Sequence, residues 1–407
     1  MTVSPDDMGA SAPRIAPAPE YLHRWRMLFF STTVGIVVAN LYYAQPLLAS
    51  IALSFGQDMT RIGFAVTLTQ IGYALGILLL VPLADVLDHR KMLTVMLAAN
   101  AVGLSLVAAS PDLATFVVAS FAVGATSSAI MVIIPHVASH APHETRGRMV
   151  GQLVTGLLLG ILLARTVSGA VATAWGWRVV FALATCMVLL LLVVLRIVVR
   201  SRPPRHPLRY GQLLHSLLDL MRKHPELRRR SVYAMLGLGT FSVLWTGLTF
   251  LLSAPPYEYS AAGIGMFGLI GAAGALSATV AGRLGDAGHA GTATGVLGAL
   301  TFGAWCVLAF AEASLAAVAV GIFLLDIGVQ GLQVTHQSII YRLAPEASSR
   351  ITAIFVTFGF TGAALGSAIA SVAYAMSGWP GVCLAGASLP FLLFLAWTAA
   401  RRGAPAH

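Results

Sequence analysis

Charged residues are scarce in this sequence, and their scarcity excludes an ordinary soluble fold. Only 10% of the 407 residues are Asp, Glu, Lys or Arg, whereas 57% are hydrophobic. The mean hydropathy is +0.83. A soluble domain of this size carries roughly 25% charged residues, because water must wet its surface. The composition therefore indicates a membrane protein.

Cysteine is rarer still, and the motifs of several enzyme classes are missing. The three cysteines are Cys186, Cys306 and Cys383, without a CxxC pair or a His/Cys cluster. We therefore expect neither a disulfide nor a bound metal. Without a Walker phosphate loop, ATP-driven transport on this chain is not expected either. The prediction is a protein that is not an enzyme and that uses no cofactor.

What the chain has instead is a series of apolar runs of about 20 residues, the length that crosses the hydrocarbon core of a bilayer as a helix. The sequence predicts an all-α membrane protein with twelve such spans. They cover roughly 27–50, 60–81, 92–110, 113–135, 148–171, 178–199, 231–253, 261–281, 292–311, 314–338, 351–374 and 381–400.

Basic residues exceed acidic ones, 25 to 15, and their placement gives the orientation. With twelve spans both termini lie on one side of the membrane. Most arginines fall on that side, including the run from Arg196 to Arg230, and only Arg61 and Arg178 fall on the other. Such a bias places both termini and the middle loop in the cytoplasm. The net charge of +10 is thus a topology signal, and we expect no nucleic-acid partner.

The sequence also contains an internal repeat, because motifs of the first half recur about 200 residues later in the second half. Pro82-Leu83-Ala84-Asp85 recurs as Gly282-Arg283-Leu284-Gly285-Asp286, and Gly176-Trp177 recurs as Gly378-Trp379. Duplicated helical halves place a pseudo-two-fold axis through the molecule, and the interface between them is a natural path for a solute. This repeat predicts a transporter.

The repeat and the charge pattern also predict the division of the chain. We expect a cytoplasmic tail at 1–26, a six-helix half at 27–200, a basic linker at 201–230, a second six-helix half at 231–400 and a tail at 401–407. Within the linker, leucines at helical spacing predict an amphipathic basic helix at the membrane surface. The predicted assembly is a monomer.

Two six-span halves, a basic central loop and the turn around Asp85 resemble the major facilitator superfamily. That family's turn is approximately G-x-L-A-D-R-x-G-R-[KR]; Pro82-Leu83-Ala84-Asp85 and Arg90-Lys91 match it, while Val81 and His89 depart from it. Asn40–Pro46 and the Gly-rich span 5 resemble the bacterial drug:proton antiporter-like exporters. The resemblance implies alternating access in a bacterial inner membrane, with spans 1, 4, 7 and 10 lining the cavity.

This chain also departs from the antiporter pattern. Span 4 carries Ser120 and Gly124 without the arginine that antiporters often have there, and span 5 lacks their Gly-Pro pair. The proton-coupling machinery therefore cannot be carried over from the resemblance.

The turn between spans 2 and 3 is a candidate cytoplasmic gate. A carboxylate at Asp85 can accept hydrogen bonds from the start of a neighbouring helix, with Arg90 and Lys91 beside it. The resemblance implies that it stabilises the outward-facing state, and Asp286 is its counterpart in the second half. The alternative is a charge cluster that only sets topology.

Two ionised side chains, Arg165 and Asp326, fall deep within predicted spans. Each costs about 2.5–3.5 kcal/mol to insert at a helix centre, so each is a functional candidate. Asp326 begins a polar stripe that continues through Gln330 and Gln333. We predict proton coupling at Asp326 and Arg165, with direct substrate binding or a structural pair as the alternatives. Arg165 can also bind an anionic substrate group or extend outward along the helix.

Further polar and aromatic side chains on spans 1, 2 and 7 are candidate substrate contacts. Together with Gln330 and Gln333 they are Asn40, Tyr43, Gln70, Tyr73, Trp245 and Thr249. For each of them, ordinary packing inside the helix bundle is the alternative.

The sequence thus predicts a secondary transporter that exports a small organic molecule by proton coupling, with the proton gradient as its energy source. A uniporter or uptake carrier for a metabolite is the first alternative. A membrane sensor that does not transport is a more distant one.

Overall fold

The computed structural model describes residues 24–142, 145–199, 210–284, 290–343 and 347–402, with side chains at these positions other than 85, 275–284, 290, 401 and 402. Asp286, and the predicted gate role of the Asp85 side chain, lie outside the described part, as do most of the predicted tails and the residues 200–209 of the linker region.

The described residues form helices joined by short connections. The α-helices are α1 (Arg24–Ala39), α2 (Leu48–Phe55), α3 (Met59–Leu79), α4 (His89–Ala108), α5 (Leu113–Ser127), α6 (Ile130–His140), α7 (Arg146–Trp175), α8 (Trp177–Val198), α9 (Tyr210–Lys223), α10 (Pro225–Ser253), α11 (Ala261–Leu284), α12 (Ala290–Leu308), α13 (Leu315–Leu343) and α14 (Ser348–Arg402). Two 3-10 turns, Gln45–Leu47 and Val81–Asp85, lie among them.

These helices confirm the all-α membrane fold. Among the described residues, 9 helices or helix pairs are long and apolar enough to cross a membrane, and the last of them, Ser348–Ala400, has 53 residues. It bends at Gly378, whose φ of 62° interrupts the helix and divides it into the predicted spans 11 and 12. The pair α1 and α2 supplies span 1, and α11 supplies span 8.

Span 1 is not one continuous helix, contrary to the predicted run over 27–50. The α-helix ends at Ala39, and an irregular turn leads into Gln45–Leu47. Pro46 explains the break, because it lacks an N–H and its ring crowds the carbonyl four residues earlier, that of Tyr42. The helix therefore opens ahead of Pro46.

The predicted duplication is visible in the backbone. Gly176, between α7 and α8, has a φ of 89°, and Gly378 has a φ of 62° at the matching place in the second half. Each is followed by a buried tryptophan, Trp177 and Trp379. Positive φ is the conformation that glycine adopts without steric cost, which explains why both copies keep it.

Close helix crossings repeat in the same way. Gly35 of α1 packs against Gly156 and Gly160 of α7, and Gly239 of α10 packs against Gly362 and Gly366 of α14. Without a hydrophobic drive between helices in lipid, small residues allow the backbone contact that holds them.

Replacing Gly160 with alanine is expected to destabilise the protein. A Cβ there would lie 2.2 Å from the Gly35 carbonyl oxygen, so the two backbones must separate. Overpacking of this kind costs about 1–3 kcal/mol. Gly303→Ala is the matched control, because a Cβ at Gly303 meets nothing within 4 Å. Thermal melting in detergent should show a lower Tm for Gly160→Ala alone; equal Tm values would contradict the crossing.

The predicted linker helix is present as α9. Its buried leucines, Leu213 and Leu217, face the protein, and Leu217 packs in one cluster with Leu227 and Ile351 of the C-terminal half. The Tyr210 hydroxyl donates to the Leu79 carbonyl at 2.7 Å, which ties α9 to the end of α3 in the other half. The apolar face of this helix is therefore used for contacts within the chain.

Candidate functional site

Arg165 lies inside the protein, on α7, in an aromatic cage. Its side chain is 4% exposed, and its Nε donates to Gln45 Oε1 at 2.8 Å. The guanidinium carbon lies 4.1 Å from the centre of the Trp245 ring, 4.8 Å from that of Tyr42 and 5.6 Å from that of Phe241. Cation–π contacts of this kind hold a charge that has been removed from water.

Asp326 lies on the other side of the same tryptophan. Its side chain is 2% exposed. A Cβ built at Gly271 of α11 would lie 2.4 Å from Asp326 Oδ2 and 2.8 Å from Trp245 Cζ2, so the carboxyl and the indole lie against one another there. A Cβ at Gly274 would lie 2.9 Å from the Asp326 Cβ. Glycines at both positions make room for the carboxyl between α11 and α13.

The two charged groups attract each other without direct contact. Asp326 and Arg165 interact electrostatically, yet among the described residues no ion pair within 4.0 Å joins them. Trp245 contacts both side chains. The structure places the Arg165 side chain in the interior near Asp326, so this side chain does not extend outward along the helix.

Several polar atoms of this cluster lack an ordinary hydrogen bond. Among the described residues, Arg165 Nη2 and Gln45 Nε2 are buried without a partner, while Trp245 Nε1 and Asp326 Oδ2, also buried, interact only with each other and outside ordinary hydrogen-bond geometry. Leaving a buried donor or acceptor unpaired costs about 1–3 kcal/mol, and more for a charged group. Such a concentration of unpaired groups marks a place where a proton, water or ligand completes the site.

The cluster bridges the two halves of the protein. Arg165, Gln45 and Tyr42 belong to the N-terminal half, whereas Trp245 and Asp326 belong to the C-terminal half. Any relative movement of the halves therefore changes the distance between Arg165 and Asp326. We call these five residues the charge cluster.

Gln70 forms a second connection between the halves. Its Nε2 donates to Ser242 Oγ at 3.1 Å, and its Oε1 accepts from Ser367 Oγ at 3.1 Å. Thr67 Oγ1 lies 2.7 Å from Ser367 Oγ. The ring of Tyr73 packs 4.4 Å from that of Phe360 of α14.

These contacts lie in the middle of α3, between residues 67 and 73. They join the two halves at that level of the helix. Gln70 and Tyr73, predicted as substrate contacts, are thus brought into the interface between the halves. The amide of Gln70 is occupied by inter-half hydrogen bonds.

The other predicted substrate contacts are dispersed. Asn40 donates to Asn100 Oδ1 at 2.9 Å, inside the N-terminal half. Tyr43 faces a groove between α1 and α7, so it does not share surroundings with Asn40. Thr249 donates to the carbonyl of its own helix at Trp245, at 3.1 Å.

The glutamines of α13 are half-buried. Gln330 and Gln333 follow Asp326 along the helix, and Gln333 Oε1 is buried without a partner. Gln333 lies about 10 Å from Asp326 along the axis, at 1.5 Å per residue. It extends the polar surface away from the charge cluster toward the α9 side.

The described gate residues make contacts within the N-terminal half. An Arg90 Nη donates to the Arg196 carbonyl at the end of α8, and the Lys91 amide donates to Asp88 Oδ1 at 2.9 Å. Asp88 is therefore the N-cap of α4. This capping role of Asp88 was not predicted from the sequence.

Sequence reasoning also missed Gln45 and Tyr42, which form one side of the Arg165 cage. Both stand in the Asn40–Pro46 segment that was singled out. The sequence feature that could have indicated their position is Pro46. A helix that opens ahead of a proline turns the preceding side chains away from the regular helical face.

Comparisons with known proteins identify the family. The family model described as Major Facilitator Superfamily matches residues 28–293. The chain belongs to this superfamily. The resemblance noted in the turn around Asp85 and in the repeat is confirmed.

Relatives of known sequence extend the match to nearly the whole chain. The "Uncharacterized transporter YgaY" of Escherichia coli O157:H7 is 41% identical over 372 residues, which cover 91% of this chain and 94% of that protein. The "Probable transporter SCO4007" of Streptomyces coelicolor is 33% identical over 372 residues, covering 90% of this chain and 84% of that protein. Both are named as transporters, so the prediction that this chain is not an enzyme is confirmed.

Solved structures show the same fold at low sequence identity. The human organic anion transporter MFSD10 superposes with a TM-score of 0.70 at 16% identity, covering 92% of this chain and all of that one. A bacterial homologue of the human lysosomal transporter Spinster, in an inward-facing and occupied conformation, gives 0.73 at 12% identity, covering 94% and 98%. The chain is therefore a multi-pass membrane transporter of the major facilitator type.

Proposed function

We propose that this transporter exports a small organic molecule in exchange for protons, and that Asp326 carries the proton. The observation that supports this most is the buried Asp326 carboxyl, which lies against Trp245 and interacts electrostatically with an arginine of the opposite half. A carboxyl in such a position can hold its charge only with the help of Arg165, and can lose that charge by binding a proton.

Protonation of Asp326 would act on the interface between the halves. In the ionised state, the carboxylate and the Arg165 guanidinium attract each other across this interface. Binding a proton removes that attraction, and the free energy difference between the two orientations of the halves changes with it. Arg165 would in turn be released to bind a substrate group, so that proton and substrate alternate at one cluster.

The remaining details of the proposal follow from the sequence and the relatives. Export rests on the likeness of Asn40–Pro46 and of span 5 to the drug:proton antiporter-like exporters. The relatives from Escherichia coli and Streptomyces coelicolor support a bacterial cytoplasmic membrane. The basic residues support cytoplasmic termini. We propose a monomer, driven by the proton gradient without a cofactor or a nucleic-acid partner, with Asp85, Arg90, Lys91 and Asp286 at its cytoplasmic gate.

A carrier without proton coupling is the second candidate, and one observation favours it. Two donors without a partner among the described residues, Arg165 Nη2 and Gln45 Nε2, lie in the same cluster as the Asp326 carboxyl. A metabolite bearing both an acceptor group and a donor group would satisfy them directly. In that case Asp326 binds the substrate.

A counterflow experiment separates the two candidates. Proteoliposomes are loaded with an unlabelled compound that the wild type transports, selected from a panel of drugs and metabolites, and exchange against the labelled compound is measured without a proton gradient. If Asp326 only couples the proton, Asp326→Asn retains this exchange while losing gradient-driven accumulation. Loss of the exchange as well would contradict coupling alone and support substrate binding. Glu312→Gln, which removes an exposed acid outside the cluster, is the control.

A further inference from the structure

A groove separate from the charge cluster runs along the outside of the N-terminal half. It lies between α1 and α7, with Met187 of α8 at its edge, and has a volume of about 1280 Å³. Its walls are mainly apolar and include Leu28, Ile36, Leu159 and Leu163. Pockets for drug-sized molecules measure about 300–1,000 Å³, so this groove suits a longer occupant.

Helix geometry places the groove on the opposite side of α7 from the charge cluster. Leu163 and Val167 line it, whereas Arg165, two residues from each, does not. Residues two apart on an α-helix point about 200° apart. The groove therefore opens toward the surrounding membrane, and 69% of Leu28 and 46% of Leu163 are exposed there.

One end of the groove is basic. Arg24, at the start of α1, and Arg148, in the first turn of α7, both line it and both are exposed. Ser31 and Gln152 stand next along the two helices, joined by a hydrogen bond of 3.1 Å from Ser31 Oγ to the Gln152 carbonyl. The groove thus has a cationic end, a short polar step and a long apolar body.

We propose that this groove binds an anionic phospholipid of the surrounding bilayer, with its phosphate between Arg24 and Arg148 and one acyl chain along the apolar walls. Charge complementarity supports the proposed position of the headgroup, because arginine donates paired hydrogen bonds to the oxygens of a phosphate. The length of the groove supports the proposed position of the acyl chain. Leu159 lies 11 residues beyond Arg148, about 16 Å along the helix, which is half of the roughly 30 Å hydrocarbon core.

Native mass spectrometry of the purified full-length protein tests this. The protein is titrated with phosphatidylglycerol and, separately, with phosphatidylcholine. The variants are Arg24→Gln, Arg148→Gln and Thr155→Trp, the last of which fills the groove with an indole. Arg61→Gln removes an exposed arginine at the start of α3, far from the groove, and is the control. Both groove arginines are exposed, so their removal leaves the helix packing intact.

We expect wild type to bind phosphatidylglycerol more tightly than phosphatidylcholine. Each arginine variant should lower the affinity for phosphatidylglycerol about fivefold, as expected for one basic residue near a lipid surface. Thr155→Trp should remove the bound lipid, and Arg61→Gln should behave as wild type. Equal binding of both lipids, or phosphatidylglycerol binding that survives the arginine substitutions and Thr155→Trp unchanged, would overturn the proposal.

Discussion

Substituting Arg165 with glutamine is expected to lower transport at least about 100-fold. The change leaves the buried Asp326 carboxyl without the nearby cation that stabilises its ionised form, so the carboxyl stays protonated and cannot release a proton during the transport cycle. It also removes the donor to Gln45 and the cation that packs against Trp245. Uptake of a transported compound into inside-out vesicles measures the effect at matched expression.

Arg165→Lys is expected to fail nearly as severely. Lysine keeps the charge, but its compact ammonium cannot donate through a planar fork to Gln45 while stacking on Trp245. The double variant Arg165→Gln/Asp326→Asn should recover thermal stability relative to Arg165→Gln, because both buried ionisable groups are gone, while transport stays lost.

Arg178→Gln is the control for the loss of an arginine stacked on a tryptophan. Arg178 lies 4.3 Å from the centre of the Trp177 ring, remote from the charge cluster. If Arg165→Gln transports as well as Arg178→Gln does, the charge cluster is not the centre of the mechanism.

Gln70→Ala is the second substitution with a large expected effect, and it acts on conformation. The change removes the inter-half hydrogen bonds to Ser242 and Ser367. Ser367 keeps its contacts with Thr67 and the Ala364 carbonyl, whereas the buried Ser242 hydroxyl loses its partner. An unpaired buried group costs about 1–3 kcal/mol, so the described state is destabilised by that amount relative to its alternative. About 2.7 kcal/mol suffices to change a 1:99 ratio of conformations to equal populations.

Electron–electron distance measurements between spin labels at Asp58 and Glu312 read out this change. These exposed residues precede α3 and follow α12, one in each half, and the three native cysteines are replaced first. Wild type should give one short distance, and Gln70→Ala should add a longer one. Gln57→Ala is the matched control, because the Gln57 amide bonds only within its own half, to Arg61. If Gln70→Ala leaves the distances unchanged but weakens substrate binding, Gln70 is a substrate contact instead.

The fold could be predicted from the sequence because the sequence features that indicate it are local or repeated. Apolar runs of membrane length, the bias of arginines to one side and the duplicated Gly-Trp pair each depend on residues close in the chain. The two buried charges were also predictable, since a charge in a membrane span is costly wherever it stands. That both contact Trp245 required the structure.

The dispersed site residues show where sequence reasoning fails. Asn40 and Tyr43 would share a face on a regular helix, but the turn ahead of Pro46 removes that regularity. The sequence around Gln70 does not indicate its hydrogen-bond partners, because Ser242 and Ser367 lie 172 and 297 residues away and belong to the other half. Contacts across a domain interface have no periodic signature.

Solute-induced proton flux tests the central claim most directly. Inside-out vesicles carrying wild type or Asp326→Asn are energised to an acid interior and exposed to a panel of drugs and metabolites, while a pH-sensitive dye follows the gradient. The account predicts that some compound dissipates the gradient in wild-type vesicles and not in Asp326→Asn vesicles. Transport of that compound at the same rate with and without a gradient, or equal proton release in both proteins, would contradict it.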